Sequence, residues 1–143
     1  MTVAIAFAII TFVITRPSIT ALDSSPVSGL ISLKAAARES VDYGVALTDG
    51  KPTLIEFYAD WCTTCQAIAP TLQALKSDYG DRIDFVMLDI DDPQWREPIA
   101  AFKATGVPQL SFLDADGAPV ETLIGKVPKS VLDQYLNRLL QFS

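Results

Sequence analysis

Residues 53–65 read TLIEFYADWCTTC, and the fold turns on this stretch. Its opening, TLIEFYA, is rich in β-branched and aromatic side chains, so residues 53–59 are expected to form a central strand. A helix is expected from about Cys62 to Tyr79, interrupted by Pro70 and closed by Gly80. The two cysteines of the chain, Cys62 and Cys65, therefore sit where a strand gives way to a helix. Unpaired backbone N–H groups and the positive end of the helix dipole stabilise an anion there, which favours a thiolate at Cys62. A thiolate is the species that attacks disulfides. Cys65 falls on the same helix face one turn later, in reach of a mixed disulfide formed at Cys62.

Working outward, residues 32–47 read as a helix, with Ala35, Ala36, Val41, Val45 and Leu47 available to a core, and Asp49-Gly50-Lys51-Pro52 reads as a turn. Downstream, residues 83–90 (IDFVMLDI) form a second strong strand, and residues 93–103 read as a helix weakened by Pro98. Gly106-Val107-Pro108 is a turn before a strand at 110–113; Asp116-Gly117 marks a hairpin whose return strand is 120–124. Pro128 opens a last amphipathic helix, 128–142, with Val131, Leu132, Tyr135, Leu136 and Leu139 on one side. Strands alternating with helices and ending in a hairpin give an α/β class: a central mixed sheet flanked by helices.

The 143 residues suit one domain with a real core. A net charge of −6 and the lack of any basic run argue against nucleic acid. There is no histidine, which removes Ser–His and Cys–His nucleophiles and imidazole metal ligands. Two thiolates alone cannot close a structural zinc site, so no metal is expected. Redox work or inert packing is left for the cysteine pair.

The run VAIAFAIITFVI at residues 3–14 is nearly all apolar and ends at Thr15-Arg16-Pro17. It is shorter than the roughly 20 residues of a full membrane span. Three readings fit it: a membrane anchor, a cleaved export signal, or a buried element of the domain. The Pro- and Ser-rich stretch behind it reads as a spacer and counts against the buried element. No Lys or Arg precedes the run, although an export signal expects one, so the anchor is favoured. The expected organisation is an anchor or signal at 1–16, a linker at 17–31 and a domain at 32–143.

Three further residues stand out. Glu56 lies amid apolar strand formers, on one face with Leu54 and Tyr58, while Thr53, Ile55, Phe57 and Ala59 take the other. A carboxyl buried there has a raised pKa and could take the proton of Cys65 as that thiol attacks; an edge-strand glutamate reaching solvent is the alternative. Trp61, beside the first cysteine, reads as a shield for the thiolate and a flank of the binding face. Pro108 stands at a bond that can be cis, beside which an incoming peptide could pair as a short added strand.

Together these residues resemble the thioredoxin family, from about residue 32 to the end. Phe57-Tyr58-Ala59-Asp60-Trp61-Cys62-Thr63-Thr64-Cys65 is similar to the family's F-W-A-x-W-C-x-x-C signature, and Pro70 falls at its helix-kinking proline. Gly106-Val107-Pro108 resembles the segment carrying the family's cis-proline, and Glu56 falls at its buried acid. The resemblance implies the thioredoxin fold, a redox-active Cys62–Cys65 disulfide in place of any cofactor, and a peptide groove involving Trp61, Tyr58, Val107, Pro108 and Gly125. Departures are the Thr63-Thr64 spacer, where cytosolic members have Gly-Pro, Tyr58 for a usual Trp, and Met87 where many members carry a lysine that pairs with the buried acid.

Behind an apolar segment, the motif is most similar to the membrane-anchored thioredoxin-like proteins of cyanobacteria and thylakoids. That implies a monomeric protein-disulfide reductase on the lumenal or periplasmic side, supporting cytochrome assembly, with a membrane thiol-transfer protein as electron donor. Two alternatives use the same shape: a disulfide oxidase or isomerase with the same cysteines, and a non-catalytic docking module.

Overall fold

The computed structural model describes residues 26–141. The apolar run at 3–14, most of the expected linker and Phe142 lie outside the described residues. Ten elements follow in order. Helix α1 (Pro26–Arg38) and the short α2 (Tyr43–Ala46) precede strand β1 (Thr53–Tyr58) and the long helix α3 (Thr63–Tyr79). Strand β2 (Asp84–Asp89), a 3₁₀ turn (Pro93–Trp95), α4 (Arg96–Ala101), the hairpin β3 (Gln109–Leu113) and β4 (Pro119–Ile124), and α5 (Lys129–Leu139) complete the chain.

The sheet has the order β2-β1-β3-β4, with β1 parallel to β2, antiparallel to β3, and β3 antiparallel to β4. β1 is thus interior, and all six of its residues are buried. Because side chains alternate across a strand, β1 and its neighbours feed two layers. Leu54, Phe85, Leu110 and Phe112 pack with Ile68, Leu72 and Leu75 of α3 and Leu132, Leu136 and Leu139 of α5. Ile55, Phe57, Val86, Leu88 and Leu113 face the other way, against Ala46, Trp95, Ile99 and Phe102. The sheet is mixed and covered on both faces, as expected.

The single helix expected over residues 32–47 is two helices, and the reason is tertiary. At the break the backbone turns to cover the open edge of β2: the Val41 N–H donates to Phe85 O (2.9 Å), and the Met87 N–H donates to Ser40 Oγ (2.8 Å). Asp42 then starts α2 afresh, its carboxylate accepting the Val45 N–H at 3.1 Å. Val45 and Leu47, expected in the core, are exposed. α1 also begins at Pro26, so residues 26–31, read as linker, are helical. Their place is against α3, where Gly29 leaves room for Gln66: a Cβ at Gly29 would stand 3.0 Å from the Gln66 Cβ. The helix expected over 93–103 opens as a 3₁₀ turn and ends at Ala101, before Lys103 with its φ of 49°. In the hairpin, Gly117 takes φ +77°, a left-handed turn conformation that side-chain-bearing residues rarely adopt.

Candidate active site

The strand–helix junction places the cysteines as their spacing requires. Cys62 is the N-cap of α3, with extended backbone (φ −77°, ψ 101°), and its sulfur accepts the Cys65 N–H at 3.0 Å. The two residues form a disulfide with a Cα–Cα distance of 5.2 Å, well within the range that such a bond spans. Both are buried, Cys62 at 5% and Cys65 at 0% exposure. In the reduced state, the N–H groups of the first turn of α3 are positioned to stabilise a thiolate at Cys62.

Around the pair the tertiary fold gathers Leu33 of α1, Tyr58, Ala59 and Ala69, with Val107 packed against them. The Val107–Pro108 bond is cis. Pro108 is buried at the entry to β3, and its carbonyl accepts the Gly125 N–H at 2.8 Å, where Gly125 holds φ +87°. Gly125, beyond the hairpin, is thus bonded to Pro108, and the neighbouring Val107, packed on the cysteine cluster, makes this segment one wall of the site. Trp61 is 64% exposed, and its indole N–H is held by Asp91 Oδ2 at 2.8 Å. It stands at the rim, where a large apolar side chain open to water suits contact with a partner. Tyr58 differs from its expected place in the peptide groove. It is buried beneath the cysteines, where burial and the nearby Asp89 push its hydroxyl up to about 12. It supports the site from inside and offers little surface to a bound peptide.

Glu56 is buried, in the interior strand rather than at an edge. Neither carboxyl oxygen has a hydrogen-bond partner among the described residues. Burial alone pushes its pKa up to about 8. No hydrogen bond joins it to Cys65, so a proton passing between them needs an intervening water or a movement. Glu56 instead borders a small apolar cavity with Met87, its partner across the β1–β2 register. Replacing Met87 by lysine puts an ammonium against this carboxyl and is expected to lower its pKa by about 1 to 2 units. Denaturant unfolding followed across pH checks this, because the pH at which the stability curve levels off should fall by the same interval.

Two features escape a reading of the sequence alone. Asp91 orients Trp61 from 30 positions away, and Lys34 of α1 pairs with Asp60 in the loop before the cysteines. Both are exposed charges of a common kind, and only contacts distinguish them. Among the described residues, no cluster of His, Cys, Asp or Glu could hold a metal ion.

A disulfide at the first turn of a helix, on a mixed sheet and beside a cis-proline wall, defines a protein built for dithiol chemistry. The family model described as thioredoxin matches residues 34–138. The chain belongs to the thioredoxin family. It is 43% identical over 120 residues to the thiol:disulfide interchange protein TxlA of Synechococcus elongatus, covering 84% of this chain and 63% of that protein. To the chloroplastic thioredoxin-like protein HCF164 of Arabidopsis thaliana it is 38% identical over 109 residues, covering 76% of this chain and 42% of that one. The chain thus spans less than two thirds of the length of either relative. Among solved structures, the thioredoxin of Fasciola hepatica superposes with a TM-score of 0.55 at 28% identity, over 62% of this chain and 81% of that one.

Proposed function

We propose that the chain catalyses thiol–disulfide exchange on protein substrates, working as a reductase. In the reduced enzyme, the Cys62 thiolate attacks one sulfur of a substrate disulfide. A Cys62–substrate mixed disulfide forms, and the other substrate sulfur leaves as a thiolate that takes up a proton. Cys65 then gives up its proton and attacks the Cys62 sulfur. The second substrate thiolate leaves, and the Cys62–Cys65 disulfide closes, two electrons having passed to the substrate. Glu56, with its pKa near neutrality, is the group assigned to accept the Cys65 proton. Trp61, Val107, Pro108 and Gly125 are assigned to the peptide-binding face, with no cofactor beyond the cysteine pair.

The observation that carries this reading is Cys62 capping α3 in a disulfide with Cys65 at the foot of the Val107–Pro108 wall. Membrane attachment through residues 3–14 is part of the same reading, supported by the apolar run, and a membrane thiol-transfer protein is the electron donor that such an attachment would call for. Among the described residues, no helix is long and apolar enough to cross a membrane.

The test is capture. Cys65→Ser removes the resolving thiol, so a protein disulfide substrate should remain linked to Cys62 as a complex that dithiothreitol releases. A docking module would bind its partner equally well with both cysteines replaced, and that outcome would sink the enzymatic reading.

A further inference from the structure

The buried carboxyl of Glu56 needs an exchange route with water, and the cysteine side is closed. Tyr58, Ala59, Cys62, Cys65 and Ala69 are all at most 6% exposed and packed together. The other side is not closed. A cavity of about 20 Å³ lies against Glu56, between Ala36 of α1, Leu72, Gln73 and Lys76 of α3, and Met87 of β2. A single water needs about 10 to 15 Å³ of such space. The inner walls are buried, whereas Gln73, Lys76 and Met87 are half-buried and form the mouth. Lys76 lies eleven residues beyond Cys65 on α3, roughly 16 Å along the helix axis. The mouth is therefore well removed from the face where a substrate docks.

We propose that Glu56 exchanges its proton with solvent through this cavity, and that Lys76 at the mouth is a positioning residue whose ammonium favours the ionised carboxylate. Lys76 now donates to the Glu39 carbonyl just past the end of α1, with its aliphatic stem along the opening. A four-carbon stem lets the ammonium turn inward when Glu56 ionises. Among the described residues, no other cation near the carboxyl takes that role. On β1 the nearest titratable group is the Tyr58 hydroxyl, held neutral by its raised pKa, and the β3 partner of Glu56 is Leu110. On β2 the partner is Met87, while Asp84 bonds Lys51 and Asp89 accepts the Asp91 N–H at the strand ends. On α1, Lys34 pairs with Asp60 and Arg38 is exposed. On α3, Asp78 pairs with Lys129 and the Tyr79 hydroxyl donates to Asp133, which leaves the Cys65 thiol, the proton's source. Separate entry and exit let the proton leave while a substrate still covers the cysteines.

The inference rests on Glu56 being the base for Cys65, and the experiment separates the two ideas. In single turnovers of the full chain, the release of substrate from the mixed disulfide is followed against pH. The wild-type rate should rise as Glu56 ionises. Lys76→Met should move that rise up by about half a unit to one unit, Lys76→Arg should restore it, and Lys76→Met should add nothing once Glu56→Gln is present. A Lys76→Met profile that superposes on the wild type, with the Glu56→Gln profile flattened, would overturn the role of Lys76 and leave Glu56 as the base. A Glu56→Gln profile that keeps the wild-type rise would remove Glu56 itself, and this inference with it.

Discussion

Cys62→Ser should reduce turnover of a protein disulfide by roughly a thousandfold or more, because the whole cycle begins at this sulfur. A serine hydroxyl does not attack a disulfide, and Cys65, fully buried behind Cys62, has no path to a substrate sulfur. The fold should survive. Cys62 is an N-cap whose side chain accepts the Cys65 N–H, and serine is among the preferred residues for that task. The lost disulfide closes a loop with a separation of only three residues, for which the stabilisation by chain restriction is small. The decisive comparison is turnover beside thermal unfolding of the same sample. A folded Cys62→Ser protein that still turns over substrate at a tenth of the wild-type rate would remove Cys62 from the role of nucleophile.

Glu56→Gln should change the pH dependence of stability as much as the chemistry. The folded-state pKa, about 8, lies above the ordinary value of 4.5, so between these limits the native protein holds a proton that the unfolded chain has lost. The native state binds more protons, and its stability must fall as pH rises, by about 1.4 kcal/mol per unit. Above about pH 8 Glu56 ionises in both states and its contribution to the slope ends. Glutamine does not titrate. The variant and wild type should lie within about 1 kcal/mol of each other near pH 4.5, since both bury a neutral polar group. By pH 7 the variant should be more stable by about 3 kcal/mol. The same change should slow release of the mixed disulfide by roughly a hundredfold, the usual scale for loss of a positioned base. Urea unfolding at several pH values reads the first effect and single turnovers the second. Parallel stability curves for the two proteins would show that Glu56 is ionised in the fold and overturn its assignment as a neutral-pH base.

The gain in stability and the loss of rate in one variant express a common cause. A carboxyl with no hydrogen-bond partner in the strand between β2 and β3 is a standing cost to folding at neutral pH. Its position under the helix that carries the cysteines is the reason the proposed cycle assigns it the Cys65 proton.

The cysteine site was largely legible in the sequence because its determinants are local. A run of β-branched and aromatic residues, a two-residue turn and a helical stretch leave Cys62 at a helix start by chain connectivity alone. The hairpin at Asp116-Gly117 and the apolar face of α5 were legible for the same reason, since a period or a turn residue marks each. The break between α1 and α2 was not. Residues 38–43 carry no helix breaker, and the chain leaves the helix there because Ser40 and Val41 bond to β2, which lies more than 40 residues later. Residues 26–31 looked like linker for a related reason: their helix is secured by packing on α3, which composition does not show.

By itself the sequence determined which atoms can react here: two sulfurs at a helix N-terminus, with no histidine to offer any other nucleophile. Whether Glu56 would meet solvent or be buried depended on the tertiary fold, because its carboxyl leaves water only when α1 and α3 pack over that face of an interior strand. The wall of Val107, Pro108 and Gly125 likewise exists only once β3 and β4 pair beside β1. Spacing along the chain governs what lies within one turn of a helix, but desolvation and shape at a site come from segments that only packing brings together.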